Sequence, residues 1–136
     1  MRLLQVLGFI VGLMGIGGIG FTQNITIMEI DEYLTHIQDL PKSELQLIDV
    51  RTPAEYSDGT ILEAVNIDYL DPSFSESIQV LDKSKPVYLF CRSGNRSQKA
   101  AAIMAEMGFS EIYDLKEGYQ AWSLFQAQEK AKEQGQ

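Results

Sequence analysis

Short runs of β-branched and aromatic residues, each followed by a stretch with helical character, constrain this chain more than any other feature. "LQLIDV" (45–50) leads into "TPAEY", "KPVYLFC" (85–91) into an alanine-rich run ending near Met107, and "EIYDL" (111–115) into "EGYQAWSLFQ". "AVNID" (64–68) adds another short strand, and "ITIMEIDEYLTHIQ" (25–38) reads as an extended start followed by a helix with Ile30, Tyr33, Leu34 and Ile37 on one face. "SFSESIQVL" is a weaker helix. Strands separated by helices require crossover connections, so the expected fold is α/β: a doubly wound, mainly parallel five-stranded sheet with helices on both faces.

Local signals set several boundaries. Pro41 closes the first helix, and Gly108 stands where a helix from about Arg96 to Met107 needs its C-terminal stop. In "TPAEY", Thr52 is an N-cap, Pro53 takes the first helical position, and Glu55 completes a capping box. The polar end "AQEKAKEQGQ" (127–136) is expected to fray.

The first residues are a separate object. Arg2 is followed by an apolar run from Leu3 to Phe21, with Gly18 and Gly20 spaced as small residues before a cleavage site. Residues 1–20 therefore read as a secretory signal or, alternatively, as an uncleaved membrane anchor with the "GFIVG" packing face. Both readings make the domain at 26–126 exported, and periplasmic if the cell has two membranes. Membrane association is expected only through residues 1–20, if they are retained.

Net charge and cysteine content narrow the chemistry. A formal charge of −8 argues against a nucleic-acid binder. The single cysteine, Cys91, excludes an internal disulfide, and no metal-ligand spacing is present, so no metal is expected. His36, the only histidine, is expected to be a solvated bystander on a helix surface.

Cys91 ends the central apolar strand, and the next loop opens a helix, so the thiol sits where α/β sheets bind ligands. The helix dipole and the nearby guanidinium groups favour a thiolate there, and Arg92, Arg96 and Lys99 make a locally positive pocket suited to a small anionic ligand. Gly94 and Asn95 tolerate the left-handed angles a tight cradle needs. The competing reading is a small buried hydrophobe at a strand end. Cysteine-dependent phosphatases have a similar loop, but theirs is longer. Cys91 and Arg96 enclose only Arg92, Ser93, Gly94 and Asn95, a cradle better matched to one extra sulfur than to a phosphoryl group.

"DVRTPAEY" (49–56), "GTILEAVNI" (59–67), "CRSGNRS" (91–97) and "GFSEIYDLKEGYQAW" (108–122) together resemble, in order and spacing, the signatures of a single-domain rhodanese, a sulfurtransferase. The resemblance implies that Cys91 accepts a sulfane sulfur as a persulfide and passes it to a thiol or to cyanide, with no metal or organic cofactor. It implies that Arg92, Ser93, Gly94, Asn95, Arg96 and Ser97 form the cradle, with Arg92 and Arg96 steering a small anionic donor. Asp49 and Arg51 would lie near the mouth of the loop, where a structural ion pair or a brace such as Arg51 with Glu55 is the expected role. Tyr119 and Trp122 are expected to be packing residues. The sequence departs from the family pattern at Thr60 (usually histidine), Glu63 (usually glycine) and Glu117 (usually the first of two glycines). A different class of function also fits the same residues: a rhodanese-like module without turnover, used for docking or as a redox-responsive thiol.

Overall fold

The structure, a computed structural model, describes residues 24–135. Residues 1–20, read as a signal or an anchor, lie outside them. Five strands form one sheet in the order β1 (Ile25–Met28), β5 (Ile112–Leu115), β4 (Val87–Phe90), β2 (Gln46–Asp49) and β3 (Val65–Asn66). Every pairing is parallel.

Side-chain alternation explains the two faces. Val87, Leu89 and Cys91 join a core with Phe74, Ile78, Ala100, Ala101 and Met104, under α3 (Phe74–Ser77), the 3-10 turn Ile78–Val80 and α4 (Asn95–Glu106). Tyr88 and Phe90 point the other way, into a core with Tyr33, Leu34 and Ile37 of α1 (Ile30–Asp39) and Trp122 of α5 (Gly118–Gln134). A central strand buried on both sides reads as a continuous apolar run for this reason.

The connection leaving β2 runs outward to β3, and the one leaving β4 runs the opposite way to β5. The crevice at the carboxyl ends of β2 and β4 is therefore a topological switch point, the place where such sheets bind ligands. Asp49 and Arg51 reach it from β2, and Cys91 from β4.

Two expectations need correction. Residues 127–134, expected as an irregular tail, continue α5 to Gln134. Alanine, glutamine, glutamate and lysine are strong helix formers, and Lys132 pairs with Glu129 at 2.8 Å on the same surface. His36 is half-buried rather than solvated: its Nδ1 lies 3.4 Å from the Tyr88 hydroxyl, and its ring meets Tyr113 edge-on at 5.5 Å. The sheet brings those tyrosines beneath α1 from distant parts of the chain.

Candidate active site

The loop from Cys91 to Gly94 joins the central strand to α4. Cys91 is a free cysteine, only 1% exposed, and its sulfur accepts a hydrogen bond from the Gly94 N–H at 3.0 Å. Gly94 makes this turn at φ +105°, a backbone angle that side-chain-bearing residues rarely adopt. Asn95 does not share that geometry; it is the first residue of α4. Arg92, Ser93 and Asn95 are exposed, whereas Ser97 is fully buried and its hydroxyl donates to the Gly94 carbonyl at 3.3 Å. Ser97 thus holds the loop from beneath and does not face an incoming ligand.

Arg96 is engaged by Glu55. Two hydrogen bonds, at 2.7 and 3.0 Å, join its guanidinium to both carboxylate oxygens. Glu55 also accepts from the Thr52 amide while Thr52 Oγ1 accepts from the Glu55 amide, the expected capping box. Its carboxyl is lowered to about 2, chiefly by Arg96 and secondarily by the Thr52 hydrogen bonds, against an opposing effect of burial. One carboxylate thereby caps α2 (Pro53–Ser57) and anchors the first turn of α4. The charge of Arg96 is thus shared with Glu55, whereas Arg92 is the exposed guanidinium of the loop.

Arg51 does not brace Glu55; its partner is Asp49. Arg51 Nε donates to Asp49 Oδ1 at 3.0 Å and its Nη2 to Oδ2 at 2.7 Å, with both residues buried. Nη2 also donates to the Gly59 carbonyl, and the Thr60 hydroxyl donates to Asp49 Oδ2 at 2.9 Å. The departure at Thr60 is thus absorbed as one more donor to a buried carboxylate. The Arg51 guanidinium lies 4.0 Å from the centroid of the Tyr119 ring, so Tyr119 is more than a packing residue. Trp122, as expected, is core, stacked on Phe125 at 6.0 Å.

The start of α5 closes the site from the side. Tyr119 N–H donates to the Cys91 carbonyl at 2.8 Å, and Gln120 N–H to the Arg92 carbonyl at 3.1 Å. Glu117 adopts φ +61°, the left-handed conformation for which glycine is the natural choice, so its departure from the family pattern carries a local strain of about 1 kcal/mol. Glu63 needs no glycine: its backbone is not left-handed, and its exposed side chain pairs with Lys42 at 3.5 Å. Beside the loop lies a cleft of about 500 Å³ lined by Arg51, Glu55, Asp58, Arg92, Tyr119, Gln120 and Ser123. Arg92 is the loop residue that reaches it; Cys91 is not on its wall.

Sequence reasoning missed Asp114. It is 1% exposed, and neither carboxyl oxygen has a hydrogen-bond partner of good geometry. Burial pushes its carboxyl up from 3.8 to about 6, with the nearby Ser97 hydroxyl pulling weakly the other way. Between those values the folded protein holds a proton that the unfolded chain has released. Stability therefore falls as pH rises from about 4 to about 6 and stays lowered above that. Asp114→Asn is expected to remove this slope and to melt higher than wild type at pH 8. Thermal melts across that range check it, and identical pH dependence in both proteins would contradict it.

Comparison with known proteins follows the same lines. The rhodanese-like domain family matches residues 30–124. A thiosulfate sulfurtransferase GlpE of Pseudomonas syringae is 31% identical over 104 residues, covering 71% of this chain and 96% of that protein. The uncharacterized protein YqhL of Bacillus subtilis is 42% identical over 77 residues, covering 57% of this chain and 60% of its own length. Among solved structures, a rhodanese-related protein from Thermoplasma volcanium superposes with a TM-score of 0.60 at 26% identity, covering 70% of this chain and 87% of that one. A rhodanese-like domain protein from Staphylococcus aureus gives a TM-score of 0.63 at 24% identity, covering 71% and 90%, which supports the fold. The chain belongs to the rhodanese-like family. Its relatives place it with the rhodanese-type sulfurtransferases.

Proposed function

We propose that this protein moves a sulfane sulfur from thiosulfate or a small persulfide to a thiol or to cyanide, through a persulfide on Cys91. The observation that carries the reading is the Gly94 N–H directed at the Cys91 sulfur at 3.0 Å, in a loop at the switch point of the sheet. In the first step the Cys91 thiolate attacks the outer sulfur of thiosulfate. The donor S–S bond breaks, sulfite leaves with the electron pair, and Cys91–S–S⁻ remains. In the second step a thiolate or cyanide attacks the terminal sulfur. The Cys91–S bond to it breaks, and the thiolate is restored as a persulfide or thiocyanate departs. Splitting the transfer this way makes the kinetics ping-pong.

Arg92, exposed at the cleft, supplies positive charge for an anionic donor. No second cysteine exists to resolve the persulfide, so discharge needs an outside acceptor. Export through residues 1–20 is part of the same proposal, and the N-terminus of the mature protein tests it.

Thiocyanate formation from thiosulfate and cyanide is the direct assay. Parallel double-reciprocal lines are expected, with turnover abolished in a folded Cys91→Ser variant. Residual transfer by that variant overturns the role of Cys91. The burial of Cys91 favours one alternative, the module without turnover. Absence of thiocyanate with the wild-type protein would decide for it.

A further inference from the structure

Asp114 Oδ1 and Oδ2 are the buried side-chain polar atoms that lack a hydrogen-bond partner among the described residues. The residue sits on β5 between Ile27 of β1 and Leu89 of β4. Alternation with Ile112 turns it toward the α4 face, where Ser97 is fully buried. Ser97 Oγ donates to the Gly94 carbonyl at 3.3 Å, and the Gly94 N–H donates to the Cys91 sulfur at 3.0 Å. A buried acid, a buried hydroxyl and the glycine that holds the sulfur therefore form one cluster.

We propose that Asp114 is a positioning residue for the sulfur-bearing loop, acting in its protonated form through Ser97 and Gly94. The Ser97 hydroxyl lies near the carboxyl but not in hydrogen-bond geometry with it, so the neutral acid leaves the Ser97 proton on the Gly94 carbonyl. Once ionised, Asp114 is only an acceptor, and the Ser97 hydroxyl is a donor beside it. That hydroxyl then turns to the carboxylate and releases Gly94. Unpaired buried charge makes the exchange favourable.

The surroundings leave few other candidates for such a response. From α4, Arg96 is bound to Glu55 and Lys99 is exposed, so neither neutralises Asp114. From α1, the Tyr33 hydroxyl donates to the Leu89 carbonyl and is itself raised, by burial first and by Asp114 next. β1 and β4 bring the uncharged Ile27 and Leu89 beside it, and the end of β4 brings the Cys91 thiol to the same face. The proposal deepens the reading of Cys91 as the sulfur carrier and rests on it for its importance.

The test is an NMR titration of the full chain from pH 4.5 to 7.5, following the Asp114 carboxyl carbon and the Gly94 amide. Both are expected to move with one midpoint near 6. Asp114→Asn should flatten the Gly94 response, and Ser97→Ala should flatten it while the Asp114 carboxyl still titrates. A Gly94 amide that stays flat in wild type overturns the proposal, as does a Gly94 titration that survives Asp114→Asn. The wild-type result decides alone if either variant fails to fold. No sulfur donor is involved, so an intact Gly94 titration without sulfur transfer would sink the transfer reading and leave this linkage standing.

Discussion

Asp49→Ala is expected to cost about 3–5 kcal/mol of folding stability, the usual penalty for removing one partner of a buried ion pair. Arg51 is 4% exposed and would keep its charge with the Gly59 carbonyl and the Tyr119 and Phe90 rings in place of its carboxylate partner. The Arg51 amide and the Thr60 hydroxyl would lose their acceptor as well. The damage follows from the unpaired charge, so a double variant with apolar residues of similar volume at both positions should recover much of the loss. Urea denaturation measures both. A cost below about 1 kcal/mol for the single variant would mean that the pair does not brace the end of β2.

Gly118→Ala carries the other large effect. The Cβ added at Gly118 would collide with the Cys91 carbonyl oxygen and lie 2.9 Å from the Cys91 carbonyl carbon and 3.0 Å from that of Arg92. These atoms are backbone, held by the amides of Tyr119 and Gln120, and cannot swing aside as a side chain can. The variant should lose about 1–3 kcal/mol of stability through overpacking, and sulfur transfer should fall at least about tenfold as the loop is displaced. Gly108→Ala separates this clash from backbone strain. Gly108 has φ +95° but nothing within 4 Å of an added Cβ, so its substitution should cost about 1 kcal/mol and leave turnover unchanged. Equal losses of turnover in the two variants would refute the close-approach account.

The parts of this molecule that were legible in the sequence are those decided by local chemistry. The capping box at Thr52 and Glu55, the strand ending at Cys91 and the alanine-rich helix behind it depend on residues a few positions apart. The second role of Glu55 was hidden because Arg96 is 41 positions away. Asp114 was hidden differently: one acidic residue in "EIYDL" reads as the polar member of an alternating strand. Only the sheet order, with β5 enclosed between β1 and β4, shows that its side chain is buried under α4. Tyr119 was read as packing because the guanidinium it faces comes from the end of β2. Polarity alone hides the helical tail, because the same alanine, glutamine, glutamate and lysine residues have high helix propensity.

The most direct measurement is the intact mass of the protein before thiosulfate, after it, and after subsequent cyanide. A gain of one sulfur that cyanide removes, absent in Cys91→Ser, is the predicted result. No gain, or a gain that cyanide leaves in place, would contradict a persulfide on Cys91 and point to a binding module or an oxidised thiol.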